Sequence, residues 1–403
     1  MTAAQSDPLA SRVAAWPPEL RALVQLLRVA LGTTEAKDFR WPAGVNSTAF
    51  GETVTRHRVG AFLRSEIPPA VRKELPGLVR EHIADCSSRT ARNALVRSAE
   101  LVRIARLFAA DRIPFLSIKG PLLARSLYGD VGGRHSGDLD LLIAPDKLRQ
   151  ADAMLRAASC RRSQPDFELT PRQWREYLRL KHEFEYFNDE TKVRIEVEWR
   201  LEGLGRQSFE AWLKTGVRET LGGVELTRLP AETEALYLFV HGAGHEWFRL
   251  FWLVDVARLL SRSGVDWDQL MRAARASGVE LPVWQGARMV ELLCGVPLPE
   301  PLRVPKTHAA RVNWLVRSAL RRMSRPEADQ PGLRDLLRQT RYQLRLRGDW
   351  STKAAVLRPR LMSPANWKMM RLPDRLFALY YPAAPLLWLR RRLGQKPRGT
   401  GTI

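Results

Sequence analysis

Cysteine is scarce in this chain. Only Cys86, Cys160 and Cys294 occur in 403 residues. They stand far apart and show no metal-ligand spacing, so an odd, sparse set implies free thiols in a reducing compartment and excludes a disulfide scaffold. Long apolar runs are lacking too. No stretch of about 20 apolar residues exists, so no membrane-spanning helix is expected. The opening residues lack a basic segment followed by an apolar core, so no signal peptide is expected and the expected location is the cytoplasm. No internal repeat is present. Acidic residues are scarce in one region only. Residues 301–403 hold 23 Lys and Arg against 5 Asp and Glu, which accounts for +18 of the total net charge of +22. The first 300 residues are nearly balanced, and the basic character belongs to the tail. With 45% apolar and 27% charged residues the composition is that of a globular protein, and the length suffices for two or three domains.

The most informative stretch runs from Pro114 to Pro145. Phe115, Leu116 and Ile118 read as a short buried strand. Lys119-Gly120-Pro121 signals a turn, Leu122 to Tyr128 an amphipathic helix, and Gly129 to Gly137 a glycine-rich loop. The next strand carries Asp138-Leu139-Asp140-Leu141-Leu142-Ile143. Side chains two apart on a strand share a face, so Asp138 and Asp140 are expected to point one way and Leu139 and Leu141 into the core. Two neighbouring carboxylates repel unless a cation lies between them. An all-oxygen site of that kind suits Mg²⁺, with Mn²⁺ as a substitute, because such ions take one or two carboxylates and complete their shell with water and phosphate.

Strand, glycine turn, helix and Asp-x-Asp strand together resemble the nucleotidyltransferase fold of the DNA polymerase β superfamily. Lys119-Gly120, Arg134 and Asp138-Leu139-Asp140-Leu141-Leu142 resemble more narrowly the bacterial uncharacterised nucleotidyltransferase family within it. Two further stretches are similar to that family: Ile195-Glu196-Val197-Glu198-Trp199, and His241-Gly242-Ala243-Gly244-His245-Glu246-Trp247 followed by Leu253-Val254-Asp255. The similarity spans roughly residues 90 to 265. It implies an α+β fold with a small mixed sheet, helical flanks, and a third carboxylate on a neighbouring strand. By the family pattern that residue is Glu196, with Glu198 as the alternative because it stands where relatives carry histidine. The resemblance further implies metal binding by Asp138, Asp140 and Glu196. Nucleotide or phosphate contacts fall to Lys119, Gly120, Arg134, His241 and His245. Pro121 departs from the family's usual second small residue and removes one backbone N–H donor.

The flanks divide the chain into an N-terminal helical region (1–87), a catalytic core (88–230), a helical module (231–300) and a basic helical tail (301–403). Leu20 to Leu31 and Ser88 to Ala110 show helical spacing, the latter with Leu95, Val102, Ile104, Leu107 and Phe108 as its apolar stripe. Thr170 before Pro171 is a helix start. Two alternating runs, His182 to Phe187 and Val193 to Trp199, flank the turn Asn188-Asp189-Glu190-Thr191 and read as a hairpin. Asp255 falls within an apolar helix and needs a partner, for which His241 or His245 is the expected one. In the tail, Tyr380 to Leu389 adjoins Arg390-Arg391-Arg392. That pattern suits an anionic membrane surface, peripherally at the inner face, or an RNA backbone. The expected activity is metal-dependent transfer of an NMP group from an NTP to an unidentified acceptor, releasing pyrophosphate. The alternatives are an RNA-directed nucleotidyltransferase working through the tail and a degenerate nucleotide-binding or scaffold protein of a biosynthetic cluster.

Overall fold

The computed structural model describes residues 8–201, 203–204, 209–262, 264–325, 332–348, 353 and 362–394. Helices dominate, and one small mixed sheet organises them, as an α+β fold requires. Its strands are β1 (Phe115–Ser117), β2 (Leu139–Ile143), β3 (Cys160–Gln164), β4 (Glu183–Asn188) and β5 (Arg194–Glu198), in the spatial order β1-β2-β5-β4-β3. β2 and β5 run parallel and the other pairs antiparallel. A separate hairpin joins β6 (Val217–Leu221) to β7 (Val224–Arg228).

The two faces of the sheet follow from period-two alternation. Leu139, Leu141 and Ile143 of β2, Ile195 and Val197 of β5, and Phe184 and Tyr186 of β4 are buried on the back face. Ile104 and Phe108 of the long helix Gly77–Ala110 pack there, as do Trp367, Phe377 and Tyr380 from the end of the chain. Phe184 stacks on Tyr177 with ring centroids 4.9 Å apart, and its removal to alanine is expected to cost about 3–5 kcal/mol. The front face belongs to the second core, built from the N-terminal helices, the helices between Ala231 and Cys294, and helix Ala309–Met323. Leu142 is the residue of β2 that reaches this second core. Its neighbour on that face is Asp140, which sets the stage for the site.

Local signals explain most boundaries. Pro17-Pro18 open helix Pro18–Ala30, and the segment ends where Gly32 takes a left-handed φ of +73°. Thr170 and Gln173 form a reciprocal capping box on helix Pro171–Leu180. The long helix begins eleven residues earlier than its periodicity indicates and runs unbroken through residue 88. Leu95, expected in its apolar stripe, is 63% exposed, while its neighbour Ala94 is buried. β3, β6 and β7 were not expected from the sequence. No helix among the described residues is long and apolar enough to cross a membrane.

Candidate active site

The parallel register of β2 and β5 places Asp140 directly beside Glu196, and Leu142 beside Glu198. Carboxylate oxygens of Asp140, Glu196 and Glu198 lie within 4.8 Å of one another. β4 continues the pattern from the other side, with Glu185 opposite Glu196 and Glu183 opposite Glu198. Asp138 stands immediately before β2, partly exposed, at the edge of this group and on the wall of the same cleft. One sheet face thus gathers six acidic side chains. Glu183 and Glu185 went unrecognised in the sequence, although the alternation His182-Glu183-Phe184-Glu185 carried the signal.

Burial and crowding raise the proton affinity of Asp140, Glu183, Glu185, Glu196 and Glu198. Burial, then Asp140, Asp138 and Glu183, push Glu196 up to about 10. Burial, then Glu185 and Asp140, push Glu183 up to about 7. Asp140 and Glu198 are likewise raised, burial again being the first cause. Lys119 is the local counter-ion. Its Nζ lies 2.7 Å from Asp140 Oδ1 and 5.6 Å from the centre of the Tyr237 ring. Burial works against its charge, but Asp140 first and then Tyr237, Asp138 and Glu198 outweigh that and raise its pKa well above the ordinary lysine value. The Tyr237 hydroxyl donates to Glu198 Oε1 at 3.4 Å.

Gly120 follows Lys119 with a φ of +64°, a left-handed conformation that favours glycine, and opens helix Gly120–Tyr128. Arg134 is buried beneath the loop. Its Nε donates to both oxygens of Asp255 at 2.9 Å, Nη2 lies 2.9 Å from Oδ2, and Nη1 donates to the His135 carbonyl at 3.2 Å. The Tyr128 hydroxyl donates to Asp255 Oδ1 at 2.6 Å. The expected partnership of Asp255 with His241 or His245 is therefore incorrect. An arginine from the loop and a tyrosine from the helix before it reach the buried acid and occupy both of its oxygens.

Across a cleft of about 730 Å³ stands a helical wall. Helix Ala231–Gly244 and helix Leu250–Leu260 supply it. His241 and His245 have ring centroids 4.7 Å apart, and His245 stacks on Trp252 at 5.0 Å. Burial first, then the Lys119 charge, hold His241 well below the ordinary histidine value. Of the two glycines between the histidines, Gly242 serves packing, whereas Gly244 has open space beside it. A Cβ on Gly242 would come within 2.3 Å of the Trp247 ring, which is wholly buried behind the wall. Arg58 and Arg249 also line the cleft, Arg58 lying over the Phe251 ring at 5.9 Å. From the tail come Gln339, Gln343 and Arg347, spaced by one helical turn each. That helix is fixed on the wall: Gln343 Nε2 donates to the Gly244 carbonyl at 2.7 Å, and the Tyr342 hydroxyl donates to the Ala243 carbonyl at 3.0 Å. These five residues went unnoticed in the sequence, where nothing marks them apart from other arginines and glutamines.

Asp140 Oδ2 and Glu198 Oε2 are buried with no hydrogen-bond donor among the described residues. An all-oxygen, acceptor-only donor set with unsatisfied atoms fits a hard divalent cation such as Mg²⁺ or Mn²⁺. The residues able to hold it are Asp140, Glu196 and Glu198, with Asp138 at the rim. No curated protein and no solved structure matches the chain. The sequence model of the family described as uncharacterised nucleotidyltransferase matches residues 44–295, well over half of the chain, and the protein belongs to that family.

Proposed function

We propose that the protein transfers an NMP group from an NTP to an acceptor hydroxyl or phosphate, releasing pyrophosphate. The observation that carries this reading is the juxtaposition of Asp140, Glu196 and Glu198 on one strand pair, facing a cleft whose opposite wall is basic and aromatic. In the reaction, the acceptor oxygen bonds to the α-phosphorus, the bond from that phosphorus to the bridging oxygen breaks, and pyrophosphate leaves with the electron pair. Glu196, which lines the cleft and which burial holds protonated in the empty site, takes the acceptor proton in its ionised form. Asp138 and Asp140 would hold the cation with it, and a bound Mg²⁺ or Mn²⁺ would supply neutralisation of phosphate charge. Lys119 swings from Asp140 toward phosphate oxygens. Arg58 and Arg249 receive the polyphosphate, and the exposed His245 ring on Trp252 offers the base a stacking surface. Arg134, committed to Asp255, acts by holding the loop that precedes Asp138.

A second reading, a nucleotide-binding protein without turnover, is favoured by the Lys119–Asp140 ion pair and by Pro121. One experiment separates them. Each NTP is incubated with Mg²⁺ or Mn²⁺, pyrophosphate release is followed, and melting temperature is measured in parallel. Release that disappears in Asp140→Asn supports the enzyme. Stabilisation by nucleotide without release supports the second reading. The absence of both overturns the site.

A further inference from the structure

The segment 374–394 is attached to the back of the sheet and is apolar on both of its sides. Helix Tyr380–Gly394 and the turn Asp374–Leu379 before it bury Phe377, Tyr380, Ala384 and Leu387 in the sheet's rear core. Asp374 fixes the turn, its Oδ2 accepting from the Arg172 backbone N–H at 3.0 Å. The outward side is not polar, as a surface helix would be. Leu379, Leu386 and Leu389 follow one another at helical spacing and are exposed, Leu386 at 73% and Leu389 at 49%. Leu376 and Tyr381 are exposed beside them. Eleven large apolar side chains are exposed among the described residues, and six fall between Met369 and Leu389. That concentration makes a patch rather than scattered surface residues.

Charge identifies what covers it. Arg371, Arg375 and Arg390 are exposed around the leucines. Residues 362–403 contain eight Lys and Arg and a single acid, Asp374. The side chains of Trp388, Arg391 and Arg392 lie outside the described ones. A nucleic acid backbone would use the arginines and leave the leucines in water. A neutral protein groove would use the leucines and leave the arginines without partners. An anionic lipid surface uses both, with acyl chains for the leucines and headgroup phosphates for the arginines. The helix is too short and too charged to cross a bilayer, so a membrane-bound form would lie along the surface.

We infer that the Leu376–Leu389 face of the C-terminal segment is a docking surface for anionic phospholipid membranes. The inference is independent of the transfer chemistry, since it concerns the opposite side of the sheet. The full chain is sedimented with phosphatidylcholine vesicles with and without phosphatidylglycerol, at low and moderate salt. It binds only the anionic vesicles, and less as salt rises. Leu386→Ser with Leu389→Ser keeps the melting temperature, because both side chains are exposed, and lowers vesicle affinity roughly tenfold or more at unchanged charge. Arg371→Gln with Arg375→Gln and Arg390→Gln lowers it as well. The inference is overturned if the unmodified protein ignores anionic vesicles at low salt, or if the leucine variant binds them as well as the parent. It is also overturned if vesicles are ignored while a short RNA is bound with no dependence on the leucines, or while the leucines drive self-association instead.

Discussion

The two walls of the cleft manage their charge in opposite ways. On the sheet, six carboxylates crowd one face, and burial raises the proton affinity of Asp140, Glu183, Glu185, Glu196 and Glu198. Near neutral pH this wall lowers its own charge by retaining protons and by drawing Lys119 onto Asp140. The helical wall carries arginine instead. Arginine does not release its proton at any accessible pH, and Arg58 and Arg249 stand on this wall. The histidines beside them give way instead: burial first, then the neighbouring guanidiniums, lower His57 to about 3 and His135 to about 2. On the proposed reading an anion meets fixed charge in this cleft, whereas a cation must displace protons and an ammonium group. A polyphosphate should find this cleft more readily than a bare metal ion does.

The most damaging test of that contrast removes the acidic wall's purpose. Asp138→Asn with Asp140→Asn should lower pyrophosphate release roughly 10³-fold or more and abolish the extra thermal stabilisation that Mg²⁺ adds to an NTP. Stabilisation by the NTP alone should survive, because it depends on the other wall. A variant that keeps the full metal response would show that the carboxylates are a structural feature.

Next in size is the division of labour on β5. Glu196→Gln should lower turnover by roughly 10²–10⁴ with NTP binding nearly intact. Glu198, deeper and beneath Tyr237, should matter much less. Single-turnover kinetics on the two variants give the ranking, and a reversed order would assign the proton to Glu198.

The asymmetry itself predicts a binding order. At pH 7 ATP without metal should raise the melting temperature, and Mg²⁺ without ATP should not. Arg249→Gln should weaken the metal-free ATP response about tenfold while sparing the metal dependence of what remains. A strong response to Mg²⁺ alone at pH 7 would break the contrast between the walls.

The acidic wall was the more legible of the two, and the reason is locality. Asp138 and Asp140 sit on one strand with its turn and helix beside them, and Glu196 and Glu198 on a hairpin whose alternation is plain in the sequence. The resemblance drawn from these stretches covered roughly residues 90 to 265, and the family match extends it to 44–295. What sequence does not carry is register between distant strands. Only the parallel pairing of β2 with β5 puts Asp140 beside Glu196, and only β4's pairing brings Glu183 and Glu185 to the same face. The basic wall was illegible because Arg58, Arg249 and Arg347 come from three separate segments of an arginine-rich chain. β3 was hidden by its composition: Cys160-Arg161-Arg162-Ser163-Gln164 is polar, and Arg162 is buried because Asp152 at 3.1 Å and the carbonyls of Pro165 and Phe167 satisfy its guanidinium. The β6–β7 hairpin was within reach, since Gly222-Gly223 between two alternating runs is a turn signal.

The smallest expected effect concerns the pH dependence of folding beneath the basic wall. His57 is wholly buried, and its Nδ1 accepts the Leu250 backbone N–H at 3.2 Å, at the start of the helix that carries Trp252 and Asp255. Its pKa falls to about 3 in the folded chain from an ordinary 6.5, burial being the main cause and Arg56 and Arg249 the next. The unfolded chain therefore takes up a proton below pH 6.5 that the folded chain refuses. The stability that His57 contributes is complete above pH 6.5 and declines as pH falls toward 3. At pH 5 the loss is about 2 kcal/mol. Urea denaturation of the parent and of His57→Gln at pH 8 and pH 5 isolates it. The parent's advantage over the variant should shrink by about that amount at the lower pH. A constant difference would mean that His57 accepts its proton inside the fold, and that the guanidiniums of this wall do not keep their neighbours neutral.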